Sequence, residues 1–158
     1  MASSKAAERH EPLEPSTDNR RARFEYEFLE KFEAGLVLTG TEVKSIRLGG
    51  ASLGEAYARV RDGELWLVGM RISPYKEGSF SNHEPTRLRK LLVARKEIDR
   101  IGALVATKGL TLVPLRLYFK RGRVKVELAL ARGKKLWDKR RSIKERDAAR
   151  DLAREVRR

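Results

Sequence analysis

The sequence contains no cysteine. That single absence excludes disulfides, thiol nucleophiles and cysteine-ligated zinc. Histidine is scarce too, with only His10 near the start and His83 in a polar stretch. His83 with Glu84 is the one acid–base pair on offer, and adjacent side chains do not converge on one atom unaided. No P-loop spacing or Gly-rich phosphate fingerprint occurs. The carboxylates are scattered among Lys and Arg, a pattern of ion pairing rather than of a metal cage. No apolar run approaches the roughly 18 residues that cross a bilayer. The start, "MASSKAAERHEPLEPSTD", has no apolar centre of a signal peptide. No catalysis, cofactor, metal or membrane is expected, and a cytoplasmic location is.

Positive charge is what the chain has in excess. Its 158 residues carry 36 Lys and Arg against 22 Asp and Glu, a net charge of +14. The pI near 10.4 points to a polyanionic partner, nucleic acid foremost. Positions 132 to 158 alone hold twelve Lys or Arg and five Asp or Glu, half of that excess. Further clusters are Arg20, Arg21 and Arg23; Lys44 and Arg47; and Arg87, Arg89 and Lys90. Any one of them suits a solvated face; together they suit RNA, on whose unpaired bases Tyr75, Phe80 or Trp137 can stack.

The chain divides into three parts: a polar leader at 1–18, expected to be disordered; a folded region at 19–132; and a basic tail at 133–158. Phe24, Tyr26 and Phe28 alternate with glutamates, which predicts a strand from Phe24 onward. Thr39 and Glu42 have the spacing of a capping box ahead of a short helix. Asp62-Gly63 marks a hairpin of type I′. Ala94, Ile98, Ile101 and Val105 predict a helix that Gly109 stops. Val113, Leu115, Leu117 and Phe119 share one face of a strand, as do Val124, Val126, Leu128 and Leu130. Pro114 demands an edge or a bulge. About six antiparallel strands with short helices fit a small OB-like β-barrel. In the tail, Arg146, Arg150, Arg154 and Arg158 fall at four-residue steps, and the apolar stripe of Ala148, Leu152 and Val156 is thin. Such a helix has little to pack, so the tail is expected to be disordered when free and helical where phosphates meet its arginines.

Six ordered blocks make the chain resemble the SmpB family, the tmRNA-binding proteins of bacterial trans-translation. They are "NRRAR", "FEAGLVLTGTEVKSIR", "ISPY", "RKLL", "GLTLVPLRLYFKRGRVKVELALARGKK" and "DKR…IKERD". The resemblance implies an OB-like barrel that binds the tRNA-like domain of tmRNA. It implies delivery to stalled ribosomes with elongation factor Tu, and a tail that becomes helical in the vacant mRNA channel at the decoding centre. It implies tmRNA contacts at Asn19, Arg20, Arg23, Glu33, Lys44, Arg89, Lys90, Leu92 and Lys125. For the decoding-centre tail it implies Gly133, Lys134, Lys135, Trp137, Asp138, Lys139 and Arg140. Phe24 and Ala94 stand where the family favours polar residues, so a contact there is lost or supplied by a neighbour.

Overall fold

The structure, a computed structural model, describes residues 14–78, 82–134 and 136–156, without the side chains of residues 136–138. Most of the expected leader, with His10, and Phe80 in the polar loop lie outside the described residues.

Strand alternation does most of the building. Strands β4 (Tyr57–Arg61), β5 (Glu64–Val68), β7 (Arg89–Leu92), β2 (Tyr26–Leu36), β9 (Arg123–Gly133) and β8 (Thr111–Lys120) pair antiparallel in that order. β8 pairs back onto β4, which closes a ring of six strands. Two-residue β1 (Thr17–Asp18) adds to β8, and β3 (Ala51–Ser52) pairs with β6 (Arg71–Ile72). Val124, Val126, Leu128 and Leu130 all point into the ring, where Leu65, Leu67, Leu91 and Leu117 meet them. Each such side chain contributes about 1.5–3 kcal/mol of burial.

Both hairpin turns take left-handed backbone at two successive residues, Asp62-Gly63 and Arg121-Gly122. This is the type I′ geometry that matches strand twist.

The expected single face of β8 is split. The register slips between Pro114 and Arg116, because Pro114 has no N–H to give the ladder. Leu117 and Phe119 therefore face the ring interior, while Val113 and Leu115 turn outward. There they form a second, smaller core with Ala129 and Ala131. Helix α1 (Arg20–Glu25) closes over it through Ala22. The strand expected from Phe24 thus begins only at Tyr26. Asn19 caps the helix by accepting from the Ala22 N–H at 3.1 Å, and a cap with a buried alanine outweighs a short alternating pattern.

Helix α2 (Gly40–Arg47) packs Ile46 into the main core. Helix α3 (Arg95–Lys108) packs Ile98 and Ile101 there and ends at Gly109 in a left-handed turn. Helix α4 (Leu136–Val156) follows β9. The helix expected of the tail is thus present over these residues. Its outer reach is nonetheless exposed, with Leu152 at 63% and Val156 at 84%.

Candidate nucleic-acid interface

The outward face of the ring gathers residues from four strands into one row. Gly35 on β2 pairs with Leu92 on β7 and with Lys125 on β9, and Lys125 pairs with Tyr118 on β8. Directly paired residues of antiparallel strands project to the same face. The row therefore reads Leu92, Gly35, Lys125, Tyr118. Leu92 stands 54% exposed. A side chain at Gly35 would begin 3.2 Å from the Leu92 Cβ and 3.6 Å from the Lys125 Nζ. Glycine here keeps a slot between an apolar wall and a cation.

Glu33 lies two residues along β2 on this same face. Its carboxylate accepts a short hydrogen bond from the Tyr118 hydroxyl and another from the Lys120 Nζ at 3.3 Å. The Tyr118 bond, followed by Lys120 and Lys125, holds the Glu33 carboxyl below its ordinary range. Burial and the same bond push the Tyr118 phenol up to about 12. At neutral pH the pair is thus a carboxylate and a neutral hydroxyl. The Arg116 guanidinium lies 4.5 Å from the centre of the Tyr118 ring. A cation, a ring, an acceptor and an apolar wall on one row are the parts that hold a base and its phosphate.

A second cluster sits at α1. Arg20, Arg23 and Phe24 from α1 line a groove with Lys134 and with Ser142 and Arg146 of α4. Lys134 ties the two together: its N–H donates to the Glu25 carbonyl at 2.8 Å. Its Nζ donates to the Arg23 carbonyl at 3.2 Å and to Ser142 Oγ at 2.8 Å. Arg146 lies 5.2 Å and Lys139 6.0 Å from the Phe24 ring centre. Phe24 is where α4 rests.

Two of the expected contact residues are interior. Arg89 is fully buried, and Glu42 beside it is too. The Arg89 Nε bonds Glu42, its Nη1 donates to the Met70 carbonyl at 2.6 Å, and its Nη2 to the Pro85 carbonyl at 3.0 Å. Every direction of the guanidinium fork is used by protein, so Arg89 positions β7 and offers RNA nothing in this conformation. Asn19 is also buried. Beyond its capping bond it donates through Nδ2 to the carbonyls of Pro114 at 2.8 Å and Leu53 at 3.2 Å, and its N–H reaches Leu115 at 2.8 Å. It anchors α1 to the bulge of β8. Both side chains lie inside for one reason: a polar side chain with a full set of protein partners is worth more there.

The remaining expected residues are placed as follows. Lys90 is half-buried and pairs with Glu64 at 2.9 Å. Lys44 lies 5.5 Å from the Tyr75 ring centre on α2. Gly133 forms the last pair of β9, with Tyr26. Arg140 is exposed on α4. Lys135 lies outside the described residues, as do the side chains of Trp137 and Asp138. Sequence reasoning missed Gly35, Arg116 and Tyr118, although all stand within the quoted blocks; only the cross-strand register shows that they adjoin Lys125. His83 is structural. Its Nε2 donates to the Ile72 carbonyl at 2.9 Å, and its Nδ1 shares a hydrogen bond with the Thr41 hydroxyl at 2.9 Å. Among the described residues no cluster of His, Asp or Glu could hold a metal ion. No helix of the described chain is long and apolar enough to cross a membrane.

The chain is similar to several known proteins. The profile of a family described as "SmpB protein" matches residues 16–158. An "SsrA-binding protein" of Syntrophomonas wolfei subsp. wolfei (strain DSM 2245B / Goettingen) is 57% identical over 144 residues, covering 91% of this chain and 92% of that protein. An "SsrA-binding protein" of Synechococcus sp. (strain JA-2-3B'a(2-13)) is 59% identical over 140 residues, covering 88% and 91%. A solved structure described as "tmRNA-SmpB: a journey to the center of the bacterial ribosome" superposes with a TM-score of 0.65 at 53% identity, over 77% of this chain and 86% of that one.

Proposed function

The chain belongs to the SmpB protein family, and from that premise we propose that it binds the tRNA-like domain of tmRNA and serves trans-translation on stalled ribosomes. It is an RNA-binding protein to which we assign no catalytic step. The observation that carries this reading is the outward row on which Leu92, Gly35, Lys125 and Tyr118 meet, with Glu33 beside it. Lys125 supplies a phosphate partner. The Glu33 carboxylate is an acceptor for a base amino group or a 2′-hydroxyl, the group that marks RNA. Leu92 supplies an apolar wall for a splayed base. Arg20 and Arg23 on α1 and Lys90 on β7 extend the same positive surface, with Lys44 on α2 as a further cation. Asn19 and Arg89 act from inside by holding α1 and β7 in place. Residues 133–158 form a separate arm for the decoding centre and the vacant mRNA channel, with Gly133 to Arg140 at its base. Elongation factor Tu takes part through the aminoacylated RNA. A cytoplasmic location, where ribosomes translate, belongs to the same proposal.

Glu33→Ala tests the row. Gel shift at matched salt should show tmRNA affinity lowered about 10-fold, as for loss of a charge-assisted contact of about 1.4 kcal/mol. Circular dichroism should be unchanged. Wild-type affinity would remove the row from the binding surface.

A further inference from the structure

One face of the ring enters this account only through Lys90. On β4, Arg59 pairs with Trp66 on β5, and Trp66 pairs with Lys90 on β7. The Val37 N–H donates to the Lys90 carbonyl at 3.0 Å, which sets β2 alongside. The outward side chains therefore form a second row: Arg59, Trp66, Lys90, Val37. Leu65 and Leu67, on either side of Trp66 along β5, are completely buried in the interior. Trp66 is the large ring that points the other way, and it is half-buried.

Its surroundings are those of a stacking platform rather than of a core residue. Among the described residues, neither the Trp66 indole N–H nor the Arg59 guanidinium has a side-chain partner. A tryptophan held by packing alone usually finds a partner for its N–H. Lys90, on the other side of the ring, is tied to Glu64 at 2.9 Å and so held in place. Tyr57, 41% exposed, pairs with Val68 one step along the same face. In the other direction lies Leu92, two residues from Lys90 and the first member of the row already described. The two rows are thus neighbours on one continuous face.

We propose that the outer face of β4, β5 and β7 is a second part of the RNA surface, on which an unpaired nucleotide stacks its base on Trp66 while Arg59 takes its phosphate. Charge complementarity selects the occupant: a free guanidinium and an ordered ammonium flank the indole, with the one nearby carboxylate of Glu64 already committed to Lys90. The nucleotide belongs to the same RNA that meets Leu92 and Lys125, since the two rows adjoin. This inference rests on the tmRNA-binding reading given above.

Emission from wild-type protein and from Trp66→Phe is followed while the tRNA-like domain of tmRNA is added, with a gel shift on the same samples. Stacking on Trp66 should quench a component of the wild-type emission that the variant lacks. The variant, still aromatic, should bind within about three-fold of wild type, and Trp66→Leu should lose about 5- to 100-fold, the range for one base–aromatic stack. Arg59→Gln lies on an exposed side chain and leaves the fold undisturbed. It should lower the slope of log affinity against log salt by about 1. Equal quenching in wild type and Trp66→Phe with intact binding, or an unchanged salt slope in Arg59→Gln, overturns this inference and leaves tmRNA binding standing. Such a result would assign the face to a protein partner or to solvent. Absence of any gel shift overturns the tmRNA reading and this inference with it.

Discussion

At the scale of single residues, burial decides which polar groups are structural. Among the described residues Glu42 is the most deeply buried carboxylate, at 0% exposure. Burial alone would raise its pKa. The Thr39 N–H at 2.9 Å, Arg87 and Arg89 outweigh that and hold it at about 2. The group's folded value is depressed, so the stability it contributes is present above its ordinary value of 4.5. That stability fades as pH falls from there through about 2. A shift of this size corresponds to about 3 kcal/mol. Glu42→Gln should therefore flatten the acid limb of a stability-against-pH profile measured by denaturant unfolding. At neutral pH it should lose about 3–5 kcal/mol, because two guanidinium groups lose their counter-charge. An acid limb as steep as that of wild type would show that Glu42 does not titrate as described. The capping-box spacing with Thr39 was legible in the sequence; the arginine partners, 45 and 47 residues away, were not. A basic block reads alike whether its cations face water or fill the centre.

At the scale of elements, periodicity located α3 and the β8–β9 hairpin because both are long and locally determined. It failed at Phe24. An aromatic alternating with glutamates looks like a strand, but Asn19 starts a helix there and needs the bulge carbonyls of β8, about a hundred residues away, to do so. The same ring then supports α4. A 21-residue helix whose outer turns bury nothing is marginal by itself, and two cation–π contacts are worth about 0.5–1 kcal/mol each when exposed. Phe24→Ala should thus loosen α4 against α1. Hydrogen exchange should show lower amide protection over the first turns of α4, with the protection of β8 and β9 unchanged. Equal protection in the two proteins would mean that Lys134 holds the helix without Phe24. The thin apolar stripe correctly marked the far end of this helix as unpacked, and no signal in the sequence connected Phe24 with Arg146.

At the scale of the molecule, the proposed function gives the ring and the helical arm charge for different surfaces. Residues 136–158 include nine Lys or Arg and five Asp or Glu. The two outward rows and the α1 cations all lie before them. Deleting residues 136–158 leaves β9 and the Lys134 bond to Glu25 in place. The truncated protein should bind tmRNA within about three-fold of wild type in a gel shift at matched salt. It should fail to support peptide tagging on stalled ribosomes. A loss of tmRNA affinity beyond ten-fold would place the primary contact in the arm. The expectation of this division rests on a change in composition along the sequence. The rows themselves were not legible there, since pairing partners such as Gly35 and Lys125 become neighbours only through registers that no local pattern encodes.

The closure of the six strands has one more consequence. A basic protein crowded onto a long polyanion meets other copies of itself at high local concentration, where any unpaired strand would invite fibril-like growth. Here β8 pairs with both β4 and β9, and the short β1, β3 and β6 are two residues each. Among the described residues a second copy of this chain would therefore find no lengthy backbone ladder to extend.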